Sequence, residues 1–179
     1  EQDETVALPM PGLTASADWE SAPTVTVDLP EGTAVKVEIP VENVTAGTVA
    51  VLVGADGTET VIKDSTTTER GVAVKLSDGD TVKIVDNTRA FADVPNGYWG
   101  ADAIAFVTSR ELFNGTGGTT FDPAGEMTRA MVLTVLARYD GQDTVGGSTW
   151  YEQGVRWAVD SGVSDGASLD SAVSREQLV

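Results

Sequence analysis

Residues 24–86 alternate apolar and polar side chains with a period of two, the pattern of β-strands that are buried on one face. Val and Thr dominate these runs, as a pleated surface favours. Turn-forming clusters, such as the Gly-Ala-Asp-Gly sequence at 54–57, separate them. Six short strands at this spacing predict a small antiparallel β-sandwich over residues 24–89. Residues 1–23 show no sustained period and are predicted to be a linker, with docking of Trp19 onto the next domain as the alternative.

From residue 90 onward the apolar positions recur at helical spacing instead. Two helices are predicted, one on each side of a Gly-rich loop at 114–118 and an extended stretch at 120–123. Residues 90–140 therefore form one predicted helix–loop–helix unit. The apolar positions are Trp99, Ala103, Phe106 and Val107 in the first helix, and Val132, Val135, Leu136 and Tyr139 in the second.

This unit recurs in degenerate form over residues 141–179. A repeat of this length is typical of small units that bury a core only by stacking on copies of themselves. The expected fold class is therefore α+β multidomain, a small all-β antiparallel sandwich followed by an all-α module of helix–loop–helix repeats. Because the second copy reaches only one turn of its second helix by Val179, we expect the natural protein to continue. The five pairs that match at one offset of 51 are Trp99 and Trp150, Ile104 and Val155, Phe106 and Trp157, Leu112 and Val163, and Gly115 and Gly166.

Composition narrows the function classes. The chain has 11 basic and 28 acidic residues, a formal net charge of −17, so we expect no nucleic-acid partner and no attraction to anionic lipid. No apolar stretch approaches the ~20 residues that span a bilayer. Cys and His are both absent, which excludes thiolate and imidazole chemistry. The acidic turns do not match a calcium-binding loop, and we expect no metal, no cofactor and no enzymatic activity.

The second helix of each repeat begins with a similar local sequence. Thr128 and Ser174 are predicted N-caps, whose hydroxyls accept hydrogen bonds from N–H groups of the first helical turn. In the second copy Gln177 completes a capping box, because its side chain can reach back to the N–H of the cap. In the first copy Met131 stands at the equivalent position, and we expect that half of the box to be lost.

Arg129 and Arg175 follow these caps directly and project from the helix N-termini. A helix N-terminus carries partial positive charge and unpaired N–H donors, and a guanidinium beside it can hold a carboxylate or phosphate through two hydrogen bonds. Two interpretations stay open at this point. Each arginine forms a local anion site, or each one pairs with a neighbouring Asp or Glu.

Five motifs follow one another in the first copy: Phe-Ala-Asp-Val at 91–94, Trp99, Leu-Phe-Asn-Gly at 112–115, Phe-Asp-Pro at 121–123 and Met-Thr-Arg-Ala at 127–130. Together they resemble the S-layer homology (SLH) domain of bacterial surface proteins, over residues 91–139 and, more weakly, 150–179. The resemblance implies a non-enzymatic anchor built from three repeats in a pseudo-threefold bundle. The implied ligand is secondary cell wall polysaccharide, often bearing acidic pyruvyl ketals, that is attached to peptidoglycan.

In that family the motif arginine binds the ligand, which implies this role for Arg129 and Arg175. The chain departs from the family pattern at Met131 and Gln177, where Glu is usual, and it lacks a third repeat. From the residues alone, the tryptophans at 99, 150 and 157 fit a helix-facing core better than a ligand platform. The other groove elements that the resemblance implies are Thr128, Ser174, Gly115, Gly166, Trp99 and Trp150.

The setting implied by the resemblance is a secreted protein at the cell wall of a Gram-positive bacterium. Its partner is the wall polysaccharide, without membrane insertion. The alternative function is a stalk or adhesion module that uses the β domain and the repeats for protein–protein contacts. An incomplete repeat module can also self-associate through its open edge.

Overall fold

The computed structural model describes residues 5–174, which divide into two compact units after Glu111. The first unit holds every strand of the described residues together with the first helix, and the second holds the other two helices. Within this part of the chain, no helix is long and apolar enough to cross a membrane.

Two sheets build the first unit. One has the strand order β1-β4-β8-β7, with β2 also paired to β4, and the other has the order β3-β9-β5-β6. β1 and β2 run parallel to β4, whereas the other pairs are antiparallel. The strands are β1 (Thr5–Ala7), β2 (Leu13–Thr14), β3 (Thr24–Thr26), β4 (Ala34–Glu42), β5 (Thr48–Val53), β6 (Glu59–Val61), β7 (Thr66–Thr67), β8 (Gly71–Ser77) and β9 (Thr81–Asp86).

One buried cluster joins the two sheets. Ile39 of β4 pairs with Val72 of β8, Ala50 of β5 pairs with Ile84 of β9, and all four belong to this cluster. Ile39, Val72 and Ile84 occupy apolar positions of the predicted period of two, whereas Ala50 lies on the face opposite to Val49 and Val51. The β-sandwich-like region is present. The sheet also explains one glycine, because a Cβ at Gly71 would lie 1.9 Å from the carbonyl oxygen of Ile39.

The second sheet is covered on both faces. Val49 and Val85, which pair across β5 and β9, lie in a second buried cluster that is separate from the first. Ala22 belongs to this second cluster and Trp19 packs against it. Burial on both faces explains why β5 and β9 read as nearly continuous apolar runs instead of alternating ones.

The described residues contain three short helices, α1 (Ala101–Ser109), α2 (Arg129–Tyr139) and α3 (Glu152–Asp160). The predicted all-α repeat module is therefore wrong, because turns and irregular backbone fill the stretches between these helices and α1 belongs to the β-rich unit. Left-handed residues follow the ends of two helices. Glu111, just after α1, has a φ of 58°, and Gly141, just after α2, has a φ of 80°.

Arg110, directly after α1, ties this helix to the strands through a side chain that is 0% exposed. Its Nε donates to the carbonyl oxygen of Ser65 at 2.7 Å, and its Nη2 donates to that of Thr48 at 3.1 Å. Nη1 donates to the carbonyl oxygen of Ala46 at 3.2 Å, and the guanidinium carbon lies 3.6 Å from the centroid of the Phe106 ring. Burial away from water lowers the pKa of Arg110 to about 10.

In the second unit, α2 and α3 pack together through small residues. A Cβ added at Gly154 would lie 2.7 Å from the Cα of Thr134. Ala137 of α2 and Ala158 of α3 are both fully buried. Short side chains at such a contact allow two helix backbones to approach closely.

Candidate functional site

Both hydrogen bonds of a capping box are present at the start of α2. Thr128 Oγ1 accepts a hydrogen bond from the Met131 N–H at 3.4 Å, as predicted. The expectation that Met131 loses the other half is wrong, because its sulfur accepts from the Thr128 N–H at 3.4 Å. A thioether is a weak acceptor, but it reaches the position that a Glu or Gln oxygen would occupy.

Arg129, the first residue of α2, reaches into the second repeat. Its Nη2 donates to Asp165 Oδ1 at 2.7 Å and to Ser164 Oγ at 3.1 Å. The arginine side chain is 33% exposed and that of its carboxylate partner 69%. Of the two interpretations of the sequence, the structure therefore shows Arg129 paired with a nearby carboxylate. The paired guanidinium remains accessible to solvent.

The carboxylate of Asp165 is held in its ionised form by two neighbours. The N–H of Ala167, which donates to Oδ1 at 3.0 Å, is the main reason why the pKa of Asp165 lies below its ordinary value. The positive charge of Arg129 lowers that pKa further. Asp165 is thus an anion at any physiological pH, placed where an acidic ligand of the arginine would bind.

The backbone donors at the start of α2 are already used. The N–H of Arg129 donates to the carbonyl oxygen of Ser171 at 2.9 Å, and the N–H of Ala130 donates to that of Leu169 at 3.0 Å. The N–H of Val173 in turn donates to the carbonyl oxygen of Met127 at 2.9 Å. The segment at 169–173 therefore closes this helix end, and attraction for an anion depends on the guanidinium alone.

The two loop glycines stand in different surroundings. Gly166 follows Asp165 directly, has a φ of 70°, and donates its N–H to Ser164 Oγ at 3.2 Å, so it belongs to the Arg129 site. A Cβ at this position would also lie 2.9 Å from a methyl group of Val159. Gly115 takes a φ of 78° in the loop that precedes α2.

Trp99 and Trp150 are surface residues. Their exposed fractions are 90% and 55%, so the interpretation of these two as core residues is wrong. Each is flanked by a tyrosine, with ring centroids 5.6 Å apart for Trp99 and Tyr98 and 5.1 Å apart for Trp150 and Tyr151. Exposed aromatic faces of this kind are suited to stacking on a sugar ring.

The second predicted helix start can be followed only to its first residue. Ser174 is the last described residue of the chain, and Arg175 and Gln177 lie outside the described residues. The predicted capping box of the second copy and its arginine therefore remain predictions.

The arrangement around α2 supplies recognition chemistry. Arg129 offers a cationic donor group, Ser164 a hydroxyl, and Trp150 of the same unit an aromatic face. Over residues 5–174 no group of three acidic side chains could hold a metal ion. Ser164 and Asp165 were not predicted as site residues, although the repeat offers a signal, since they are the two residues before Gly166, which matches Gly115.

A family model described as the S-layer homology domain matches residues 90–130. The chain contains an SLH domain. The SLH match covers α1 and ends at Ala130, so Thr128 and Arg129 lie inside it and residues 141–174 lie outside it. No curated protein and no solved structure matches the chain.

The SLH domain is a cell-surface anchoring module and not a catalytic one. SLH domains generally bind cell wall polymers, which is consistent with a wall polysaccharide as partner. The domain places the protein at the cell surface.

Proposed function

We propose that this chain is a non-enzymatic anchor that holds a secreted protein on the wall of a Gram-positive bacterium by binding pyruvylated secondary cell wall polysaccharide. The observation that supports it most directly is the Arg129 guanidinium, which is part-exposed and already holds a carboxylate and a hydroxyl. Those are the two groups that a sugar with an acidic ketal presents. The anchoring role follows from the SLH domain, and the choice of polymer is the proposed part.

Binding proceeds in this proposal by exchange of one carboxylate for another. The polymer's acid group replaces Asp165 on Arg129, because an ion pair between exposed side chains adds little stability and is easily displaced. The hydroxyl of Ser164 stays next to the guanidinium and can bind a second ligand oxygen. The other groove residues of the second unit that we propose with Arg129 are Thr128, Gly115, Gly166, Trp150, Ser174 and Arg175. Trp99 of the β-rich unit is proposed as a separate ligand contact.

The division of labour along the chain is also part of the proposal. Residues 24–89 act as a β-sandwich spacer, and β1 and β2, from the stretch at 1–23 that was predicted to be a linker, pair with its strand β4. Residues 90–140 are the first SLH repeat, and residues 141–179 are a degenerate second repeat. The second repeat contributes the Asp165 side of the site.

Co-sedimentation with purified cell wall tests the polymer. We expect Arg129→Ala to weaken binding about 10- to 100-fold, the cost of a charged hydrogen-bond set. The matched control is Arg70→Ala, which removes the same charge from another arginine–carboxylate pair, with Nη2 2.8 Å from Glu38 Oε2 in the β-rich unit. Cell wall that has been stripped of its polysaccharide should bind neither the wild type nor the variants. Equal sedimentation of both variants and the wild type with intact wall would contradict the proposal.

The alternative is a stalk or adhesion module, and one observation favours it. Several large apolar side chains of the second unit are exposed, namely Tyr139, Val145, Trp150 and Val163. Exposed apolar side chains are typical of protein contacts where they form one patch. Analytical ultracentrifugation separates the two functions, because a stalk module self-associates in the absence of any wall polymer and an anchor binds polymer as a monomer.

A further inference from the structure

A cavity of about 430 Å³ lies in the second unit, between α3 and the segment that follows α2. Its volume falls in the range of small-ligand sites, about 300–1,000 Å³. The α3 residues that line it are spaced at helical intervals and so form one stripe along that helix. The lining residues are Gln142, Asp143, Gln153, Arg156, Trp157, Asp160 and Ser161.

The aromatic wall of this cavity is held in a fixed orientation. The Nε1–H of Trp157 donates to Asp140 Oδ2 at 2.9 Å, and the Nε2 of Gln142 donates to the same oxygen at 2.9 Å. One carboxylate therefore positions both an indole ring and a side-chain amide. The amide still offers its carbonyl oxygen as an acceptor. Aromatic rings with a fixed edge make stacking surfaces for other rings.

The charges in the cavity do not suit an acidic ligand. The only cationic group among the lining residues is Arg156, whose Nη2 is already bound to Glu152 Oε1 at 2.9 Å. Asp143 and Asp160 add two carboxylates. Carboxylates and amides accept hydrogen bonds from hydroxyl and acetamido groups, while the two carboxylates repel a ketal acid.

We propose that this cavity binds a neutral hexose or N-acetylhexosamine unit, stacked against Trp157 and hydrogen-bonded by Gln153 and Asp160. The cavity lies at the opposite end of α2 from Arg129, since Asp140 is the C-cap of that helix. Eleven residues of helix separate the two ends by about 16 Å. A polysaccharide chain then has two contact points, an acidic sugar at one and a neutral sugar at the other. When two contacts belong to one polymer chain, binding at the first raises the effective concentration at the second. The overall affinity then exceeds that of either contact alone.

That both sugars belong to one wall polymer rests on the proposed function, whereas the neutral-sugar site does not. The test uses the full chain and two probes: purified wall polysaccharide that carries pyruvyl ketals, and the same material after mild acid removal of the ketals. The variants are Arg129→Ala and the pair Gln153→Ala with Asp160→Ala, which changes lining side chains outside the buried core. Affinities come from isothermal titration calorimetry.

We expect the double variant to bind both probes about tenfold more weakly than the wild type, since it loses two hydrogen-bonding groups. Arg129→Ala should lose affinity for the ketal-bearing probe alone. If the double variant binds both probes like the wild type, the neutral-sugar site is refuted and the proposed function stands. If Arg129→Ala binds the ketal-bearing probe like the wild type, the proposed function fails and the neutral-sugar site stands.

A spectroscopic readout checks the location independently. The indole N–H signal of Trp157, assigned in a ¹H–¹⁵N spectrum with a Trp157→Phe variant, should shift when the ketal-free polysaccharide is added. Trp19 of the β-rich unit is the internal reference and should not move. A titration that leaves the Trp157 signal in place at saturating polysaccharide overturns the proposal.

Discussion

Gly154 of α3 lies directly against the backbone of Thr134 in α2, with no room for a methyl group between them. A Cβ on Gly154 would stand 2.7 Å from the Thr134 Cα, a distance that no rotamer change can relieve because the obstructing atom is backbone. This contact sets how closely the two helices pack, and it gives the first prediction.

Gly154→Ala should destabilise the second unit. Alanine favours a helix over glycine by about 1 kcal/mol, which works in the opposite direction. Forcing a methyl group against a packed backbone costs about 1–3 kcal/mol. This cost exceeds the gain in helix propensity when the two helices cannot move apart. Urea unfolding followed by circular dichroism measures the difference. Asp160→Ala, an exposed position on the same helix, is the control and should not lower stability. Equal or greater stability of Gly154→Ala would show that the helix contact is loose.

Arg110→Met should cost about 2–5 kcal/mol, because it leaves buried carbonyl oxygens without their donor. The hydrocarbon of Met fills part of the volume, so the loss is mainly one of hydrogen bonds. Arg89→Met changes an exposed arginine of the same unit and should stay within about 0.5 kcal/mol of the wild type. Denaturant unfolding of both variants makes the comparison. A loss no larger for Arg110→Met than for Arg89→Met would contradict the structural role of the buried guanidinium.

Asp165→Asn should strengthen binding to anionic wall polysaccharide about threefold, because it frees Arg129 from a competing carboxylate. The Asn carbonyl oxygen can still accept the Ala167 N–H, which keeps the loop in place. Calorimetric titration with ketal-bearing polysaccharide measures the gain. In the Arg129→Ala background the same substitution should change nothing, and a gain there would mean that Asp165 acts through overall charge and not through the arginine.

Arg129→Ala should raise the pKa of Asp165, but only part of the way to its ordinary value. The hydrogen bond from the Ala167 N–H is the larger cause of the lowered pKa and survives the substitution. Carboxyl ¹³C titration by NMR measures the shift. Because the folded pKa lies below the unfolded one, Asp165 contributes stability above the unfolded pKa, and this contribution is lost as the pH falls through the folded pKa. An unchanged pKa in the variant would mean that the ion pair is not formed in solution.

Local features of the chain were predictable from sequence because their physics is local. The alternation of β4 follows directly from a sheet with one buried face, and the cap at Thr128 involves atoms only three residues apart. The same local reasoning did not predict that Met131 completes the capping box. Glu and Gln are the usual residues at this position, and here a sulfur atom is the acceptor.

What the sequence did not predict depends on contacts between distant residues. Asp165 lies 36 positions from Arg129, and nothing local marks it as the arginine's partner. The all-α module was wrong for a related reason, because the helical period is real in all three helices but says nothing about what each helix packs against. Trp99 and Trp150 sit at positions where periodicity places a core, yet both face solvent.

The buried arginine after α1 has a consequence for how this protein can be inherited and engineered. The guanidinium belongs to the matched SLH segment, while its acceptors at Ala46, Thr48 and Ser65 lie well upstream of that segment. A recombination event, or a cloned surface-display tag, that starts at residue 90 separates a charge from the oxygens that solvate it. A segment that can be transferred intact between carrier proteins therefore has to begin among the β-strands. It has to include the residues that carry the three acceptor oxygens together with the SLH motif.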